Sequence, residues 1–199
     1  MNKIIAVIIL LITVISITAA IVLSPEIETA ENHNNTQNDM NTEEAYLEFK
    51  KYINSTKELK QDTEYYINTV RPDIVVTFDV LNENTDELFN IILDNKTVNI
   101  DAVLNTIKNG EKELSEKINK ALEKFITDDY KNSLMALNKY MNMQNDMIYK
   151  IADIYKTDKE MSYERINHLL HSAQQEMSQQ EINYLNFLSG VDFYADKEK

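Results

Sequence analysis

The residues with the clearest metal-binding chemistry lie in one short stretch near the C-terminus, at Glu164, His168 and His171. Spacings of four and three residues place them on one face of a helix, because such positions are neighbours on a helix surface. Two imidazoles and a carboxylate can ligate zinc or another divalent cation. No other segment offers an obvious fourth ligand. The stretch is therefore a candidate metal site, and an ordinary exposed polar face is the alternative.

The sequence lacks the common signatures of catalytic sites. Its two glycines, Gly110 and Gly190, are isolated, so no P-loop, dinucleotide fingerprint or nucleophile elbow can form. There is no cysteine, which excludes disulfides, thiolate metal sites and cysteine nucleophiles. No Glu stands three residues before His168 or His171, as a di-iron helical bundle requires. We expect a protein that is not an enzyme and that needs no cofactor.

A second candidate for binding is a group of methionines near the middle of the C-terminal half. Thioether side chains are flexible and polarisable, so a row of them can form an adaptable binding surface. The same spacing also suits residues of an ordinary helical core. The group consists of Met135, Met141, Met143 and Met147.

The charge of the chain restricts its partners. Aspartate and glutamate number 33 against 20 lysines and arginines, which gives a formal net charge of −13. Affinity for nucleic acid comes largely from cations that neutralise phosphates, so we expect no nucleic-acid partner. A protein partner or self-association is compatible with this surface.

The composition favours helices. A chain of 199 residues with 43% hydrophobic residues can bury a real core, yet it contains only two glycines and two prolines. A fold of several β-strands with so few turn residues is improbable. We therefore predict an all-α fold, an elongated up-and-down bundle of four or five long helices with coiled-coil-like seams, behind an N-terminal membrane segment.

The hydrophobic periodicity places these helices along the chain. The first predicted helix begins near Thr42 and is ended or kinked at Arg71–Pro72, because the residue before proline avoids the helical region. Pro72 suits the first turn of the second, in which Ile74–Val80 is the one segment that resembles a strand. Two further helices cover 99–125 and 127–155. The last begins at a capping box of Thr157 and Glu160, with Gly190 as its possible end.

The N-terminus contains an uncharged apolar run, Ile4–Leu23, preceded by Lys3 and followed by acidic residues. A helix of this length spans ~30 Å, the thickness of a bilayer core. Positive charge in front of it keeps the N-terminus in the cytoplasm and places 24–199 outside. Two interpretations remain: an uncleaved single-pass anchor, or a signal peptide cut after Ala20 that releases a secreted protein.

Three segments follow from these patterns. Residues 1–23 are the anchor or signal peptide, residues 24–41 are a flexible polar linker, and residues 42–199 are an extracytoplasmic helical bundle. Three N-x-[ST] sequons, at Asn34, Asn54 and Asn95, would be open to glycosylation outside the cell.

The sequence thus favours a membrane-anchored or secreted acidic interaction or structural protein. An extracytoplasmic ligand-sensing bundle is the first alternative. Its layout is similar to that of the periplasmic part of a chemoreceptor, although no second apolar run returns to the membrane. A metal-binding protein that uses His168 and His171 is the second alternative.

Overall fold

The chain is all-α in the residues that the structure, a computed structural model, describes: 42–94, 99–157 and 162–198, without the side chains of Thr42, Tyr163 and 170–174. Several helices pack against each other, and no strand occurs in these ranges. The segment Ile74–Val80 is helical, as expected. The elements are α1 (Thr42–Ile53), α2 (Lys57–Tyr65), a π segment (Tyr66–Val70), α3 (Arg71–Leu93), α4 (Asp101–Leu122), α5 (Asp128–Thr157), α6 (Tyr163–Gln175) and α7 (Gln179–Lys197).

The predicted membrane segment Ile4–Leu23 and the predicted linker 24–41 lie outside the described residues. Among the helices that are described, none combines the length and the apolar character needed to cross a membrane.

The first predicted helix is interrupted. The apolar residues that recur at helical spacing along this segment do face the core, since Phe49, Leu59 and Tyr66 are all buried. The expectation of one continuous helix is wrong, because the chain leaves the helix after Ile53. Thr56 caps α2: the Leu59 N–H donates to Thr56 Oγ1 at 3.1 Å. An N-cap hydroxyl satisfies a backbone donor that has no partner within the helix.

Pro72 does stand in the first turn of α3, as predicted, but the helix before it does not end there. The π segment and α3 continue α2 without a break, and the Arg71 N–H bonds to the Tyr66 carbonyl five residues back. A proline ring clashes with the carbonyl four residues before it. The π-helix occurs mostly as a single turn inside an α-helix. We attribute the π segment to Pro72.

The predicted start of the last helix is also wrong. Thr157 ends α5 instead of capping a new helix, and Glu160 lies outside the described residues. The capping box lies further on, at Ser178 and Glu181, where it begins α7 after the break that follows α6. The predicted helix is therefore divided in two.

Both glycines lie inside helices. Gly190 does not end α7, which continues to Lys197. A Cβ added at Gly190 would lie 2.9 Å from Cε2 of Phe49, so its missing side chain makes room for that ring on α1. Gly110 has the same role in α4, where an added Cβ would lie 2.7 Å from Cδ2 of Leu81.

The core is centred on aromatic rings that join α5, α7, the π segment and the connection between α4 and α5. Tyr130 of α5 is fully buried, and its ring stacks on Phe125 with centroids 5.0 Å apart. Phe187 of α7 meets it edge-on at 5.0 Å, and Tyr66 of the π segment lies at 5.6 Å. Full burial of a side chain of this size contributes about 1.5–3 kcal/mol. Around this centre α3 packs on α4, α4 on α5, α5 on α6 and α7, and α1 on α7.

Candidate binding groove

The predicted metal ligands all lie on α6. Glu164 and His168 are exposed there, and the side chain of His171 is outside the described part of the structure. Among the side chains that are described, no three histidines or carboxylates are grouped closely enough to hold a metal ion. The site of Glu164, His168 and His171 remains a prediction.

The four methionines have two different roles. Met141 and Met147 belong to the core, and each is only 6% exposed. Met135 is 50% exposed, and Met143 is half-buried. The periodicity of the sequence places all four on one helix, but it does not show which of them the neighbouring helices cover.

The two outer methionines line an open groove between α4 and α5. Its volume is about 400 Å³. Apolar side chains alternate along it with amides, and one basic and one acidic residue lie among them. The lining residues are Asn119 and Leu122 of α4, with Met135, Asn138, Lys139, Asn142, Met143 and Asp146 of α5.

Polar contacts hold the two walls of the groove in register. Ser115 Oγ of α4 donates to Asn138 Oδ1 of α5 at 3.0 Å. Further along, the Tyr149 hydroxyl donates to Glu111 Oε2 at 2.8 Å. Burial raises the pKa of Tyr149, and the acceptor Glu111 raises it further. The phenol therefore stays protonated and continues to donate over the physiological pH range.

The turn between α4 and α5 is fixed by the buried carboxylate of Asp62, which is 1% exposed. It accepts hydrogen bonds from the backbone N–H of Ile126 at 3.0 Å and of Thr127 at 2.7 Å, and from the Thr127 hydroxyl at 2.7 Å. These donors precede α5, where the helix dipole also favours a negative charge. Asp62 thus sets the point at which the chain leaves α4 and begins α5.

Lys139 links the groove to α7. Its ammonium lies 2.6 Å from Glu181 Oε1. The Lys139 contact is the main reason that the pKa of Glu181 falls to about 2, and hydrogen bonds from Ser178 lower it further. Because Glu181 also belongs to the capping box of α7, one carboxylate joins the start of that helix to the edge of the groove.

The groove offers two kinds of contact to a ligand. Thioethers and Leu122 offer adaptable apolar contact. The asparagine amides can donate to and accept from a backbone. Lys139 is already paired with Glu181, so its charge is not available to a ligand without breaking that pair.

A polar cluster between the π segment and α7 escaped the sequence analysis. The Tyr66 hydroxyl donates to Asp192 Oδ1 at 3.3 Å, and Arg71 Nε lies 2.9 Å from the same oxygen. The Arg71 guanidinium also contacts Asp196 at 3.3 Å. The only signal in the sequence was the i, i+4 pair Asp192 and Asp196, because Arg71 is 125 positions from Asp196.

No protein-family model, curated protein or solved structure matches this chain.

Proposed function

We propose that this protein is a non-catalytic interaction module of the cell surface. Residues 42–199 would form an elongated up-and-down bundle with coiled-coil-like seams. Residues 4–23 would hold it at the outer face of the membrane, or would be removed when a signal peptide is cut. The acidic composition, the lack of cysteine and the apolar N-terminal run support this proposal.

One observation carries the interaction role: the groove between α4 and α5 keeps Met135 half exposed beside amides that can bond to a backbone. Apolar contact flanked by polar groups is the usual composition of a protein interface. We propose that a segment of a partner protein occupies this groove.

The groove also favours the ligand-sensing alternative, since about 400 Å³ falls within the ~300–1,000 Å³ typical of small-molecule sites. A small molecule that binds only the folded state would raise the melting temperature of the protein. Such a rise in melting temperature, together with a failure to crosslink any partner protein in the experiment below, would favour the ligand-sensing alternative.

The test is photo-crosslinking in living cells. A photoreactive amino acid replaces Met135 in the groove, and a matched control replaces Asn105, which is exposed on α4 outside the groove. We expect a protein adduct from position 135 alone, which is lost when the exposed groove residue Asn142 is changed to Arg.

The same cells show on which side of the membrane the crosslinked protein lies. Protease added to intact cells should digest the adduct while a cytoplasmic marker stays whole. Equal adducts at positions 135 and 105, or no adduct at either, would contradict the proposal that a partner protein occupies the groove. A protected adduct would contradict the predicted orientation.

A further inference from the structure

A ridge of apolar residues lies on the solvent side of α3. Pro72, Val76 and Val80 stand four residues apart and therefore follow one line along the helix. Val76 is 63% exposed and Val80 is 47% exposed. Val75 lies beside them and is 46% exposed. We call these four residues the valine face.

The valine face is unfavourable for an isolated helix. Each β-branched residue loses side-chain freedom in a helix, and valine is a poorer helix former than alanine by roughly 0.6 kcal/mol. That cost is normally offset by burial, which these exposed valines lack. A contact with a partner would supply that burial.

Carboxylates surround the valine face. Asp73 and Asp79 flank it, and Glu83 and Glu87 continue the same side of α3 toward its C-terminus. None of the four carboxylates forms an ion pair within the described part of the chain.

Nearby cations are already engaged. The Lys117 ammonium of α4 reaches α3 and donates to Thr77 Oγ1 at 2.8 Å, but Glu113 lies 2.8 Å from it. Arg71 pairs with Asp192 and Asp196. The side of α3 that carries the valine face is therefore apolar at its start and negatively charged along its length.

We infer that the valine face binds an amphipathic helix of a partner protein, with apolar side chains opposite Val76 and Val80 and basic ones opposite Glu83 and Glu87. Charge complementarity selects this occupant. A second copy of this chain related by two-fold symmetry would bring carboxylates against carboxylates, which opposes association. The valine face is a different surface from the groove, so binding at the valine face does not depend on binding in the groove.

The probe is a synthetic 18-residue peptide of leucine and lysine in a heptad pattern, with one photoreactive residue on its apolar side. The full chain is held in nanodiscs of neutral phosphatidylcholine, and the adduct is mapped by mass spectrometry. We expect crosslinks to residues 72–87. The double variant Val76→Asp/Val80→Asp should lower the adduct yield at least about tenfold, because it removes the apolar contact and adds repulsion.

A second double variant, Glu83→Lys/Glu87→Lys, keeps the valines and should weaken the adduct as well, so the test remains decisive if the aspartates unfold α3. Leu47→Asp on α1, where the side chain is 47% exposed and lies outside both surfaces, is the matched control and should leave the adduct unchanged. Crosslinks that map elsewhere, or that survive both double variants, would overturn the inference. So would oxidation of Val76→Cys chains into disulfide-linked dimers that exclude the peptide, since a second copy would then occupy the face.

Discussion

Asp62 accepts a 2.7 Å hydrogen bond from the backbone N–H of Thr127, and this bond joins α2 to the start of α5 across 65 positions of sequence. We predict that Asp62→Ala destabilises the protein by about 1–3 kcal/mol, because it leaves the backbone N–H groups of Ile126 and Thr127 without their acceptor. Asp62→Asn keeps one acceptor oxygen and should lose less. Urea unfolding followed by circular dichroism measures both. Equal stability of wild type and Asp62→Ala would contradict this role.

The two glycines provide a matched pair of substitutions. Alanine in a helix interior is favoured over glycine by roughly 1 kcal/mol. At Gly110 the obstructing atom is the tip of the Leu81 side chain, which can rotate away. At Gly190 it is the Phe49 ring, which is packed against Phe187 with centroids 6.0 Å apart.

We therefore expect Gly110→Ala to change the stability by less than about 1 kcal/mol, and Gly190→Ala to lower it by about 1–3 kcal/mol through overpacking. Thermal unfolding of the two variants side by side decides the question. If Gly190→Ala proves the more stable of the two, the close approach of α1 and α7 is incorrect.

Substitutions of two methionines distinguish a core position from a groove position. Met147→Ala should lower the free energy of unfolding by about 2–5 kcal/mol, because it leaves a cavity in the core. Met135→Ala removes a half-exposed side chain and should change it by less than about 0.5 kcal/mol. The measurement is denaturant unfolding. A large loss at Met135 would show that its exposure in the groove is misassigned.

The pH dependence of stability should reveal the raised pKa of Asp192. Burial raises the pKa of its carboxyl to about 6, although Arg71 and the Tyr66 hydroxyl lower it. The unfolded chain, with a pKa near the usual 3.8, gives up this proton first. Between about pH 4 and 6 the folded state thus holds more protons, and stability from this group falls as the pH rises.

The side chain of Asp192 is 41% exposed, so solvent screening limits the effect to about 1 kcal/mol. Asp192→Asn mimics the neutral acid and should lack this dependence. We expect the stability of wild type relative to Asp192→Asn to decrease from pH 4.5 to pH 7 in urea titrations. Parallel curves for the two proteins would rule out the pKa shift.

Much of the fold follows from the periodicity of apolar residues. The sequence predicted the helical class, α5 and the helix that begins at Pro72. A long row of apolar residues at helical spacing, such as that from Tyr130 to Tyr155, has one consistent interpretation. The breaks were not, because Thr56 and Ser178 resemble ordinary seam or surface residues until tertiary packing selects them as caps. The groove was predicted only as a group of methionines, since burial of Met141 and exposure of Met135 depend on where α4 and α7 lie.

The pairing of α1 with α7 has a consequence for the order of folding. Tyr46 and Lys50 of α1 both contact Glu198, and Phe49 packs on Phe187 and against Gly190. These contacts close a loop of 152 positions, the kind of non-local contact that forms slowly. During synthesis from the N-terminus, Tyr46 and Phe49 of α1 lack their ring contacts with α7 until that helix has been made. α1, the earliest of the described helices, is therefore among the last to dock, and until then Phe49 remains open to chaperones or to other chains.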